Sequence, residues 1–109
     1  MEHLISLEVY ATDQGRKPFT EWLHRIEDVK TRAIIRARLN RIRLGNFGDC
    51  HSVGDGVEEF RIDYGPGYRI YFGRVGLQVI LLLCAGPKRT QRNDIERAKR
   101  YWKASLEES

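Results

Sequence analysis

The sequence is most constrained by a run of alternating apolar and polar residues that turns back on itself at Gly65-Pro66-Gly67. The apolar positions on one side of the alternation are Phe60, Ile62, Tyr64, Tyr68, Ile70 and Phe72. A period of two residues is typical of a half-buried antiparallel sheet, and a Gly-Pro-Gly segment is typical of a hairpin turn. The stretch Glu58–Pro87 therefore predicts three consecutive strands, the first two of which form a hairpin.

The short turn also predicts a register for this hairpin. The expected opposing pairs are Tyr64 with Tyr68, Ile62 with Ile70, Phe60 with Phe72, Arg61 with Tyr71, and Asp63 with Arg69. The first three pairs would form a core face, because side chains on one face of a strand repeat every two residues. The other two would form a polar surface that carries two arginines.

Length and charge limit the class of protein. A chain of 109 residues is sufficient for one core, so we expect a single domain over residues 1–109. The net charge of +4 comes mostly from arginine, which suits bidentate phosphate contacts. A basic surface that only aids solubility explains the composition equally well.

The cysteines and the apolar runs indicate a reduced cytoplasmic protein. Cys50 and Cys84 do not have the spacing of metal ligands. No secretory signal is recognisable at the start of the sequence, and the longest apolar run, Val79–Ala85, is too short to cross a bilayer. We therefore expect no contact with a membrane.

The remaining elements follow from periodicity and from turn signals. The predicted segments are a strand Leu4–Tyr10, a helix beginning at Pro18, a helix Val29–Leu44, a turn-rich loop Asn46–Val57 with a short edge strand at residues 50–53, an interior strand Leu77–Cys84, and a helix Gln91–Leu106. The two early helices are expected to pack as a hairpin against the sheet. The second of them is basic, with Lys30, Arg32, Arg36, Arg38, Arg41 and Arg43, and such a surface either faces nucleic acid or is simply solvated.

The sequence gives little support to most catalytic arrangements. His3, His24 and His51 have no matching partner pattern, so each is predicted to be a surface or boundary histidine rather than a general base. There is no zinc spacing and no phosphate-cradling glycine loop before a helix. We therefore expect neither a metal nor a nucleotide cofactor.

The polar face of the sheet is the best candidate site. Its basic side chains are Arg61 and Arg69 from the hairpin, continued by Lys88 and Arg89 after the third strand. Arginines on adjacent strands can converge on one phosphate, because their diagonal separation is within the reach of long side chains. Alternatively, Asp63 and Glu59 pair with these arginines in ordinary cross-strand ion pairs.

Several of these segments resemble a known family. They are Glu59–Phe72, Leu81–Gly86, Lys88, Gln91 and Asp94–Ala98, together with the helix start at Pro18-Phe19. They resemble the HigB-like branch of the RelE/ParE toxins of type II toxin–antitoxin modules, often labelled phage-derived addiction-module killer proteins. The resemblance implies a small α+β, RelE-like domain, in which a twisted, mainly antiparallel sheet packs against an N-terminal helix hairpin and a C-terminal helix.

The resemblance also implies an activity and partners. RelE-like members enter the A site of the 30S ribosomal subunit and cut messenger RNA without a metal ion, by attack of a 2′-hydroxyl on the adjacent phosphate. A cognate antitoxin, here expected to be a small helix-turn-helix protein, would hold the toxin inactive. Two other activities stay open: inhibition of DNA gyrase in the manner of ParE, and a degenerate toxin that acts only in an antitoxin-bound repressor complex.

The family motif assigns roles to residues of this chain by resemblance. Arg69 would stabilise charge on the phosphoryl oxygens, Arg61 would hold the phosphate or acidify the 2′-hydroxyl, and Lys88 would neutralise the leaving 5′-oxygen. These three are the expected catalytic residues. The expected substrate-binding residues are Tyr71, Arg89 and Gln91, with Tyr71 in an aromatic role unless basic groups alone manage proton transfer.

Overall fold

Five strands and three helices build the domain in the computed structural model, which describes residues 4–108. The elements are β1 (Ser6–Val9), α1 (Pro18–Arg25), α2 (Val29–Arg43), β2 (Cys50–Gly54), β3 (Val57–Ile62), β4 (Tyr68–Val75), β5 (Val79–Pro87) and α3 (Gln91–Glu108). A 3-10 turn, Lys88–Thr90, joins β5 to α3. The protein is therefore an α+β domain, as the sequence predicts.

All five strands form one mixed sheet with the order β1-β5-β4-β3-β2. Strands β2 to β5 are an antiparallel meander, and β1 is parallel to β5 at one edge. The prediction that the first strand joins the sheet is confirmed, as is the short edge strand at residues 50–53. Strand β5 is interior, as predicted, but it begins at Val79, because Leu77 lies in the preceding turn and is 98% exposed.

The predicted register of the central hairpin is wrong by two residues. The observed pairs are Phe60 with Ile70, Arg61 with Arg69, and Ile62 with Tyr68. The turn takes five residues, 63–67, rather than three, because Gly65 and Gly67 both adopt positive φ (58° and 75°). An even shift preserves the side of the sheet on which each residue lies, so the predicted core face is correct.

The two faces of the sheet are covered by different helices. Helices α1 and α2 cover the face of Phe60, Ile62, Ile70 and Phe72, which is the main core. Helix α3 packs on the opposite face, where Tyr71 is fully buried. The predicted open polar surface is therefore wrong for much of its length, because the amphipathic α3 covers it.

The helix boundaries have local causes. Helix α1 begins with proline in its first turn, and α2 begins after Asp28, whose carboxylate accepts a hydrogen bond of 2.6 Å from the Thr31 hydroxyl. Helix α2 ends where Gly45 adopts a φ of 87°, and the N–H groups of Gly45 and Asn46 donate hydrogen bonds to the carbonyls of Ile42 and Arg41 in the last turn. The sequence predicts each of these boundaries to within a residue or two.

An irregularity in β5 determines which residues face α3. Tyr71 is opposite Cys84, but Phe72 is opposite Leu82, so Leu83 is an extra residue in the ladder. Leu83 and Cys84 consequently both pack in the core beneath α3. The bulge shifts the phase of the strand, so that Gly86 faces the helix at its first turn.

No helix between residues 4 and 108 combines the length and the apolar character needed to span a bilayer.

Candidate functional site: an arginine-lined cleft

A cleft of about 270 Å³ opens at the end of the sheet where the β3–β4 turn meets the end of β5. Its polar and aromatic lining includes Asp49, Arg61, Asp63, Tyr68, Arg69 and Lys88. The three residues that the sequence assigns to catalysis, Arg61, Arg69 and Lys88, thus line one cavity. The prediction that they lie together is supported by this geometry.

Strand pairing brings these three residues together. Arg61 and Arg69 are directly opposite each other on β3 and β4. Tyr68 pairs with Pro87 on β5, and the Lys88 N–H donates a hydrogen bond of 2.8 Å to the Gly67 carbonyl, which places Lys88 beside the turn. The basic groups therefore come from two paired strands and from the first residue of the 3-10 turn that follows β5.

Glu59 lies at the base of this cluster and is fully buried. Its Oε1 accepts hydrogen bonds from Arg61 Nε at 3.1 Å and from Arg69 Nη1 at 3.3 Å. Its Oε2 accepts one from Gln91 Nε2 at 2.8 Å. A single carboxylate thereby joins two strands to the first turn of α3. The cross-strand ion pairs that the sequence offered as an alternative therefore do form between Glu59 and the two arginines. The same arginines also line the cleft.

This carboxylate remains ionised despite its burial. Burial by itself would raise the pKa of Glu59, but hydrogen bonds from Gln91 and Arg61 and the charge of Arg69 outweigh it. The pKa of Glu59 is consequently below its ordinary value. The negative charge has a structural purpose, since two like charges directly opposite on neighbouring strands would otherwise repel.

Arg69 is unusual because it is a charged side chain only 9% exposed. Among the described residues, no group accepts a hydrogen bond from its buried Nε. A buried donor without an acceptor has a cost of roughly 1–3 kcal/mol, so an anion that entered the cleft and reached Nε would recover this energy. Arg61 is 41% exposed and lies nearer the opening.

His51 is the residue that sequence reasoning missed. It lies on β2 directly opposite Glu59, with Nε2 at 3.1 Å from Glu59 Oε1 and 3.2 Å from Arg61 Nη2. Its Nδ1 is 4.0 Å from Oδ1 of Asp49, another residue of the cleft wall. Only the β2–β3 register places it there, and the turn-rich sequence around it gave no signal of that register. His24 is exposed, as predicted, and His3 lies outside the described residues.

The predicted substrate-binding residues do not line the cleft. Tyr71 is fully buried beneath α3, so its ring has no surface to offer a substrate, and the predicted aromatic role conflicts with this burial. Burial, followed by the charge of the nearby Glu59, raises the pKa of the Tyr71 hydroxyl. Gln91 donates to Glu59 instead of facing the cavity. Arg89 is exposed on the 3-10 turn beside Lys88.

The first turn of α3 supports the site from behind. Asp94 is buried and accepts hydrogen bonds from the Thr90 hydroxyl at 2.5 Å and from Arg97 Nη2 at 3.1 Å. Between residues 4 and 108, no three His, Cys, Asp or Glu side chains are grouped so that they could hold a metal ion.

A second cleft, of about 290 Å³, also contains arginines, among them Arg16 and Arg97. Both are already paired, Arg16 with Glu21 at 2.7 Å and Arg97 with Asp94 at 3.1 Å. The cleft at Arg61, Arg69 and Lys88 is the better anion site, because the Nε–H of Arg69, one of its lining residues, has no hydrogen-bond acceptor among the described residues.

A comparison with known proteins places the chain in a family. An uncharacterized protein of Haemophilus influenzae (strain ATCC 51907 / DSM 11121 / KW20 / Rd) is 46% identical over 81 residues, which are 74% of this chain and 82% of the relative. The chain belongs to the family of that protein. No family model matches the sequence. Similarity to an uncharacterized protein assigns no activity to this chain.

Proposed function

We propose that this protein is the toxin of a type II toxin–antitoxin module, of the HigB-like branch of the RelE/ParE toxins and with their RelE-like fold. Its proposed activity is metal-independent, ribosome-dependent cleavage of messenger RNA in the cytoplasm, and a cognate antitoxin neutralises it. The observation that carries the proposal is the convergence of Arg61, Arg69 and Lys88 on one cleft. Three positive groups around a small cavity suit a phosphodiester whose transition state gains negative charge.

Each of the three basic residues has its own role in the proposed reaction. Arg69, which lines the cleft, donates to a non-bridging oxygen of the scissile phosphate. Arg61, nearer the opening, contacts the phosphate and the attacking 2′-hydroxyl. The 2′-oxygen bonds to phosphorus while the bond to the 5′-oxygen breaks, which gives a 2′,3′-cyclic phosphate. The Lys88 ammonium, beside the turn, donates a proton to the leaving 5′-oxygen.

His51 supplies the proton transfer that the sequence left unassigned. With Nε2 unprotonated, the ring accepts a hydrogen bond from Arg61, and with Nε2 protonated it donates to Glu59. With Nε2–H directed at Glu59, the lone pair of Nδ1 is left to accept the 2′-hydroxyl proton, and Nδ1 lies on the side of Asp49 in the cleft wall.

In this proposal Tyr68 takes the aromatic role that the family resemblance assigned to Tyr71. Its ring lines the cleft and is held edge-on against Trp22, with ring centroids 5.8 Å apart. A partly exposed ring that packing holds in place can stack on a base beside the scissile phosphate. Tyr68 therefore contacts the substrate in this proposal, and Tyr71 supports the site from the core.

The deciding experiment adds the purified protein to a translating bacterial extract and maps the ends of a defined messenger RNA. Cuts within translated codons that require ribosomes support the proposal. Arg69→Lys should abolish them, whereas Arg74→Lys should not, because Arg74 lies on the same strand but pairs with Glu58 on the other face. Intact messenger RNA with the wild-type protein would refute the nuclease, and gyrase inhibition and antitoxin binding alone would then be measured.

A further inference from the structure

We propose that Glu59 is the positioning residue of the cleft: its buried carboxylate holds Arg61, Arg69 and His51 in the arrangement that cleaves RNA. The inference rests on the proposed nuclease function and extends it to a residue that never touches the substrate. Glu59 is fully buried, so its effect must pass through the side chains that it binds.

The geometry gives one oxygen of Glu59 an organising role. Oε1 lies 3.1 Å from Arg61 Nε, 3.3 Å from Arg69 Nη1 and 3.1 Å from His51 Nε2. These three groups come from β3, β4 and β2, so one atom sets the spacing of functional groups on three strands. The second oxygen binds Gln91 at 2.8 Å, which fixes the carboxylate itself against α3.

Fixing these side chains has a catalytic consequence. A guanidinium group that is already oriented loses little freedom when it binds the transition state, and small displacements of reacting groups slow catalysis strongly. Without the carboxylate, the like charges of Arg61 and Arg69 would move apart, because the two residues are directly opposite. The cleft would then be more positive but less ordered.

This reasoning separates a positioning residue from an ion pair that only stabilises the fold. Loss of the negative charge should leave RNA binding unchanged or make it tighter, since a phosphate no longer competes with a carboxylate. Cleavage should nevertheless become slower. An ion pair that matters only for folding would instead weaken binding and cleavage together, through loss of folded protein.

The test uses Glu59→Gln, which keeps the shape of the side chain and removes its charge. Cleavage by ribosomes programmed with a defined messenger RNA should be about 10- to 100-fold slower at saturating substrate. The matched control is Glu58→Gln, which removes the same charge from the adjacent residue. Glu58 pairs with Arg74 at 2.6 Å and faces away from the cleft, so its loss should change neither cleavage nor binding. Glu59→Asp, which restores the charge, should recover part of the rate.

A second measurement does not depend on activity. The Nε–H signal of Arg61 and the Nη1–H signal of Arg69 in a nitrogen–proton NMR spectrum should exchange slowly with solvent in the wild-type protein, because Glu59 accepts a hydrogen bond from each group. In Glu59→Gln these two signals should exchange faster, whereas in Glu58→Gln only that of Arg74 should do so. Titration with inorganic phosphate should shift the Arg69 signal in all three proteins.

The outcomes are distinct for the two proposals. If the wild-type protein cuts RNA and Glu59→Gln cuts it equally fast with the arginine signals still protected, the positioning role is wrong. If the wild-type protein cuts nothing, the nuclease proposal fails, and the NMR signals alone decide whether Glu59 orders the cleft. Equal protection in Glu59→Gln and wild type would overturn the inference in that case too.

Discussion

Nη1 of Arg69 donates a hydrogen bond of 3.3 Å to Oε1 of Glu59, and both residues are buried. The sequence predicts Arg69 on a polar face of the sheet. The structure buries it instead, so Arg69→Ala would take a partner from a carboxylate that has no access to water. A buried charge that loses its partner destabilises a protein substantially.

We therefore predict two effects of Arg69 substitutions. Arg69→Ala should abolish messenger RNA cleavage and also lower the free energy of unfolding, by about 1–3 kcal/mol, in urea denaturation. Arg69→Lys keeps the charge near Glu59 and should be much less destabilising, yet it loses the planar fork and should be nearly inactive. Full toxicity of Arg69→Lys at equal expression would show that Arg69 is not the phosphate-binding group.

His51→Ala tests the general base. It should slow cleavage by about 100-fold or more, because a positioned acid–base group contributes that much. Stability should change little, since the ring is on an edge strand and 42% exposed. The matched control is His24→Ala, on the exposed side of α1. This variant should cleave messenger RNA at the wild-type rate. Cleavage by His51→Ala at the wild-type rate would assign proton transfer to other groups.

The pH dependence of stability should reflect Glu59. The pKa of this residue is lowered in the folded protein, so its stabilising contribution is complete above its ordinary pKa of 4.5 and is lost as the pH falls through the lower, folded value. Urea denaturation should show a stability that is flat near neutrality and falls below pH 4.5. The fall should be smaller in Glu59→Gln, and equal curves for both proteins would contradict the assignment.

Close approach of α3 to the sheet depends on glycine at position 73. A Cβ at Gly73 would overlap the indole ring of Trp102, which packs directly on the strand. Gly73→Ala should therefore lower the free energy of unfolding by about 1–3 kcal/mol, as overpacking does. The cost should be smaller in a Trp102→Leu background, where the ring is absent. Additive effects of the two substitutions would mean that the indole is not the obstacle.

Local features of the sequence were sufficient to predict most of the helices and strands. Alternation identified the hairpin strands, apolar spacing identified α1 and α3, and Gly45 marked the end of α2, because each of these signals depends only on neighbours along the chain. The same local signals failed at the hairpin turn. A five-residue turn and a three-residue turn would both contain Gly65 and Gly67, so the sequence does not distinguish between the two turn lengths.

The amino-acid sequence by itself determined the α+β class, the order of the elements and the presence of arginines near the β3–β4 turn. The tertiary structure decided what surrounds those arginines, because β2 pairing, the bulge at Leu83 and the docking of α3 all depend on contacts distant in the chain. Those contacts buried Tyr71 and Arg69, placed His51 opposite Glu59, and left Lys88 at the mouth of the cleft. A pattern of neighbouring residues cannot specify such packing, because the packing is determined only when the helices and the sheet pack together.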